Sequence, residues 1–119
     1  MKIEPIGTVR TTEDPDTKEV VVREKYSEGL DGIETLDEIV VCYWMHELDN
    51  ETRKKLKVHP RNDPSRERRG VFALRSPMRP NPIGITKVEL LERRGNALIV
   101  RGLDAVDGSP VVDVKCTMK

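Results

Sequence analysis

The stretch "KVELLERRGNALIVRGLDAVDGSPVVDVK", Lys87–Lys115, decides the fold class. Two strand-like runs flank Gly95-Asn96 and two more flank Asp107-Gly108, and both dipeptides suit the tight turns of β-hairpins. The reading is a series of consecutive antiparallel strands. Upstream, "KIEPIGTVR" and "KEVVVRE" add two further short strands. Residues 39–48, "IVVCYWMHEL", form a near-continuous apolar run, the pattern of a central strand buried on both faces, with His46 and Glu47 at its end. Six or seven short strands leave exposed edges unless they close on themselves. The expectation is therefore a mainly β protein, a small closed antiparallel or mixed β-barrel. One short helix is expected in "DNETRKKLK", capped by Asp49 or Asn50 and stopped before His59-Pro60.

At 119 residues a single domain spanning 1–119 is expected. With 36% hydrophobic and 35% charged residues the core is modest, which makes a partner subunit plausible. No apolar run approaches the roughly 20 residues that cross a bilayer, and the first residues lack a secretory apolar block, so a cytoplasmic protein without membrane contact is expected. Cys42 and Cys116 are read as reduced, buried thiols. Cys42 and His46 share strand parity but stand about 13 Å apart in an extended chain, too far to clasp one metal ion. No metal is expected.

Charge is uneven along the chain. Residues 1–52 carry 5 basic and 14 acidic side chains, residues 53–79 carry 10 and 2, and residues 80–119 carry 6 and 5. Two readings of the basic island stand: it holds RNA by neutralising phosphates, or it neutralises the acidic N-terminal half within one chain or across a dimer. On the first reading Arg66, Arg68, Arg69 and Arg79 are the RNA-binding candidates.

Inside the island's end lies "RSPMRPNPIGIT", Arg75–Thr86. Pro77, Pro80 and Pro82 fix φ and lack donors, and the residues before them are pushed away from helical geometry. The segment is expected to run extended and be ordered in advance, with Arg75 and Arg79 about 13 Å apart. Gly84 then allows positive φ or close approach of a ligand.

"GVFALRSPMRPNPIGIT" (Gly70–Thr86) with "RGLDAVDGSPVVDVK" (Arg101–Lys115) resembles the TrmO/TsaA-like family, also called YaeB-like, and "IGTVR", "GIE" and "VHPR" extend the resemblance over nearly the whole chain. The resemblance implies a non-Rossmann β-barrel, a homodimer, that binds S-adenosylmethionine and methylates N6 of threonylcarbamoyl-adenosine at position 37 in the anticodon loop of tRNA. It fits the lack of G-x-G-x-x-G here. Carried over by motif, the cofactor-binding positions are His46, Glu47, Arg75, Ile85, Gly102, Leu103 and Asp104. Arg75 suits a carboxylate, Ile85 and Leu103 an apolar wall, backbone around Gly102 the adenine, and Asp104 or Glu47 the sulfonium. Asp104 is the catalytic candidate for the acceptor proton, with Asp107 as the alternative. His46 reads equally as a strand-end residue satisfied by backbone, and Asp107 as a turn former. Other functions remain open: a non-catalytic module that binds cofactor or RNA, or a methyltransferase with another acceptor. The family's longer loop after the first strand is replaced here by "TTEDPDTKEVVV", its usual Ser-His-Leu by Asp37, Glu38 and Ile39, and a common proline by Cys116.

Overall fold

The computed structural model describes residues 1–118. They form two compact units: residues 1–44 with the chain from Gly84 onward, and residues 45–83.

The first unit is a closed barrel of six antiparallel strands: β1 (Gly7–Thr11), β2 (Thr17–Val22), β3 (Glu38–Trp44), β6 (Ile83–Arg94), β7 (Ala97–Arg101) and β8 (Pro110–Cys116). Around the barrel the order is β1-β2-β7-β6-β3-β8, and β8 closes onto β1 through Gly7 opposite Val111. Alternation builds the core: Val9, Val20, Val22, Ile39, Val41, Val88, Leu98, Val100 and Val111 face inward and are buried. Closure leaves no free edge, which suits a chain whose strands are short. β6 is the long strand, and a bulge at Leu91 shifts its register against β7 between Leu90 and Glu92.

The expected hairpin at Gly95-Asn96 is present between β6 and β7, with Gly95 at φ 58°. The one expected at Asp107-Gly108 is not. β7 pairs with β2 and β6, whereas β8 pairs with β3 and β1, so the two strands flanking this turn are not neighbours. Leu103–Val106 has no strand pairing, and Asp107-Gly108 is a turn within a longer connection. A turn dipeptide fixes only local geometry; the partners were chosen by closure of the barrel. The central strand also differs from expectation. It ends at Trp44, and its buried positions alternate (Ile39, Val41, Tyr43) with half-buried or exposed ones, so one face packs and the other does not. Two 3₁₀ segments, Glu24–Leu30 and Ile33–Thr35, join β2 to β3. Cys42 is half-buried and Cys116 is exposed, so burial of both thiols is corrected for the second.

The 45–83 unit holds the helix α1 (Asn50–Arg53) and a two-stranded ribbon, β4 (Lys57–Val58) against β5 (Arg69–Gly70). Asp49 is the N-cap: its carboxylate accepts from the Thr52 N–H at 2.8 Å and from the Thr52 hydroxyl. Those bonds, the hydroxyl's foremost, hold the Asp49 carboxyl below its ordinary value. The helix stops at Arg53, well before His59-Pro60. No helix among the described residues is long and apolar enough to cross a membrane.

Candidate functional site

In the barrel, the connection from Gly102 to Ser109 is tied down on all sides. The Gly102 N–H donates to the Asp16 carbonyl at 3.1 Å, and the Lys18 ammonium donates to the Ala105 carbonyl. Asp107 accepts from the Thr11 N–H at 2.9 Å and from its hydroxyl at 3.4 Å; the Gly108 N–H donates to the Val9 carbonyl at 2.8 Å. The Ser109 hydroxyl, buried, donates to the Val106 carbonyl at 2.7 Å. Long-range bonds to β1 and β2 thus order a segment that has no strand or helix of its own. Asp107 is engaged as a loop anchor.

The Tyr43 hydroxyl adds the decisive tie. It donates to the Asp104 carbonyl and lies 3.1 Å from the Thr86 hydroxyl, linking the loop to β6 beside Ile85. Tyr43 reaches there because Gly84 makes room: a Cβ at Gly84 would stand 2.5 Å from Cε2 and Cζ of the ring. The close approach expected at Gly84 is thus made by Tyr43, and its φ is not positive. Sequence reasoning missed Tyr43 because a buried tyrosine on a core strand reads as packing. Its signal is the polar handle, since a buried hydroxyl needs a partner.

The structure therefore brings Asp104 and the Ile85 stretch of β6 together through one side chain. Asp104 is exposed, and its carboxylate has no hydrogen bond or ion pair among the described residues. Ile85 is 52% exposed, an apolar side chain open to solvent over about half its surface. Leu103, by contrast, is 5% exposed, so its side chain belongs to the core and not to an apolar slot. The Gly102 N–H is spent on Asp16, which leaves only its carbonyl for a ligand.

In the 45–83 unit, His46 and Glu47 lie exposed in a turn just past the end of β3. Arg75 is exposed and unpaired among the described residues. It lines a cleft of about 470 Å³ together with Val58–Asn62, Arg66, Arg69, Leu74 and Ser76–Met78. The proline segment is bent through this region instead of extended. Arg79 explains the bend: its Nε donates to the Ser76 carbonyl at 2.7 Å and its Nη2 to the carbonyls of Val71 and Leu74. The guanidinium braces the loop from within, so Arg79 is an internal strut where the sequence suggested an RNA contact. Arg53 adds a second brace, its Nε donating to the Pro80 carbonyl at 2.8 Å. Arg66, Arg68 and Arg69 are exposed.

A larger cleft of about 540 Å³ opens in the barrel unit between the 3₁₀ segments and β8. Two of its charges pair with each other, Lys115 with Asp113 at 2.9 Å. Burial and the nearby Asp113 push the Cys42 thiol up.

Comparison with known proteins fits this architecture. Residues 8–119 match the tRNA-methyltransferase O N-terminal domain. An S-adenosyl-L-methionine-binding protein of Archaeoglobus fulgidus is 52% identical over 97 residues, covering 82% of this chain and 66% of the relative. A probable S-adenosyl-L-methionine-binding protein of Methanothermobacter thermautotrophicus is 42% identical over 127 residues, covering 97% of this chain and 88% of the relative. A crystal structure of TrmO superposes with a TM-score of 0.75 at 26% identity, covering 99% of this chain and 57% of that one. TrmO of Pseudomonas aeruginosa, with a TM-score of 0.74 at 24% identity, shares the fold. This chain spans little more than half the length of those two structures.

Proposed function

Since this chain belongs to the tRNA-methyltransferase O N-terminal domain family, we propose that it binds S-adenosylmethionine and transfers the methyl group to N6 of threonylcarbamoyl-adenosine at position 37 of tRNA. One observation carries the site assignment: the Tyr43 tie joins Asp104, whose carboxylate is free among the described residues, to Thr86, the neighbour of exposed Ile85.

The residues suit the chemistry of the cofactor, which when bound supplies an electrophilic methyl on a sulfonium. The Arg75 fork, without a competing carboxylate, binds the α-carboxylate. Ile85 supplies the apolar wall. A carboxylate 4 Å from a sulfonium gains about 4 kcal/mol at an effective dielectric of 20, before desolvation, and Asp104 or Glu47 provides it. Methyl transfer is an in-line displacement, so positioning supplies most of the acceleration. Asp104 holds or accepts the proton of the acceptor nitrogen. Arg66, Arg68 and Arg69 contact tRNA phosphates.

Calorimetry with S-adenosylmethionine tests the cofactor half. Saturable heat that Arg75→Ala weakens by about tenfold or more supports the reading, since a charge-assisted bond contributes roughly 1.5–3 kcal/mol. No heat at millimolar cofactor overturns it.

A further inference from the structure

Apart from Arg75, the lining of the cleft in the 45–83 unit is not used by the cofactor assignment. Four arginines line it, Arg61, Arg66, Arg69 and Arg75, and its remaining walls include the apolar Leu74 and Met78. Asp63 lies 3.7 Å from Arg66, whereas Arg61 and Arg69 have no ion-pair partner among the described residues. Such a group of like charges repels itself, and an anion between them relieves that repulsion.

The backbone here is also held in an uncommon state. Arg61 and Asn62 are consecutive non-glycine residues in the left-handed region, at φ 54° and 55°. Strain of this kind persists only where surrounding bonds enforce it, and it concentrates at ligand-binding sites. The enforcing bonds are visible: His59 Nδ1 lies 2.7 Å from the Arg66 carbonyl, and the Asn62 N–H donates to the His59 carbonyl at 3.0 Å.

At about 470 Å³ the cleft falls within the usual size of small-ligand sites, and it combines cationic and apolar walls. Phosphate and base together need both. Just beyond β5, Phe72 is 80% exposed, an aromatic face of the kind on which unpaired bases stack. We propose that this cleft receives one unstacked nucleotide of single-stranded RNA, its phosphates on Arg61 and Arg69 and its base against Leu74 and Met78, with Phe72 open to the next base. The inference rests on the RNA half of the proposed function and is independent of methyl transfer.

The test uses the full chain and a fluorescent single-stranded RNA heptamer, with anisotropy measured from 0.1 to 1 M salt. Removing two phosphate contacts by R61A/R69A lowers the magnitude of the log–log salt slope by about 1.4 and weakens binding at 0.1 M roughly 25-fold relative to 1 M. Arg10→Ala, which removes an exposed charge on β1, changes affinity less than about twofold. A second readout needs no variant: in methyl-labelled methionine spectra, adenosine monophosphate shifts Met78, whereas inorganic phosphate competes with RNA and moves Met78 little. An unchanged salt slope, an unmoved Met78 methyl in the RNA complex, or a polyglutamate peptide that competes as well as RNA would overturn the inference. RNA seated in the cleft without any methyl transfer would sink the enzymatic reading alone; methyl transfer with none of these cleft effects would sink the cleft alone.

Discussion

Gly84→Ala is the substitution on which the barrel's account of the site turns. The added carbon would stand 2.5 Å from two atoms of the Tyr43 ring, where ordinary carbon contact is about 3.5–4 Å, so ring and strand must separate by about 1 Å. Tyr43 is 5% exposed and closely packed, and overpacking of such a position costs about 1–3 kcal/mol. A shift of 1 Å also carries the hydroxyl out of reach of Thr86 and the Asp104 carbonyl, adding about 1 kcal/mol per lost bond. The expected loss is therefore about 3–5 kcal/mol, read as the change in urea midpoint at constant slope. A double-mutant cycle isolates the cause: in a Tyr43→Leu background, whose shorter side chain vacates the space, Gly84→Ala costs about 1 kcal/mol or less. A loss below about 0.5 kcal/mol in the parent protein, or full additivity in the cycle, refutes the reasoning.

Arg79→Ala removes three bonds to main-chain carbonyls inside the proline loop. It lowers stability by about 2–3 kcal/mol and raises amide exchange locally over residues 71–82, and Arg79→Lys does not restore protection because a point charge cannot span the same three acceptors. An Arg79→Ala protein with unaltered exchange there contradicts the strut. At pH 8 Cys42 reacts with iodoacetamide more slowly than exposed Cys116, because burial first and Asp113 second hold it in the protonated form. Its rate climbs as pH rises towards the raised pKa, and Asp113→Asn accelerates it; equal rates by peptide mass spectrometry would refute this.

Local signals in the sequence were reliable where the structure depends on local geometry. Gly95-Asn96 made its hairpin because the turn's positive φ and the flanking alternation agree, and Asp49 capped α1 because a cap is decided within four residues. Closure into a barrel was legible from the number of short strands. The strand partners were not: Asp107-Gly108 carries the same turn chemistry, yet β8 goes to β1 and β3 because closing the barrel satisfies more backbone groups than a second hairpin would. Among site residues, Asp104 and Ile85 were named by motif and are exposed, while Leu103 went to the core. The bracing role of Arg79 and the tie made by Tyr43 were not legible for one reason: both are bonds to carbonyl oxygens, to which every residue contributes alike, so no spacing of side chains announces them.

The central claim, methyl transfer to a modified adenosine in tRNA, is tested most directly by incubating the protein with methyl-labelled S-adenosylmethionine and two tRNA pools, one carrying the threonylcarbamoyl mark and one lacking it, and analysing the nucleosides by mass spectrometry. The account predicts label on N6 of the threonylcarbamoyl-adenosine of the marked pool and none in the unmarked pool. Label that ignores the mark, label on another atom, or no label while the cofactor binds would contradict it.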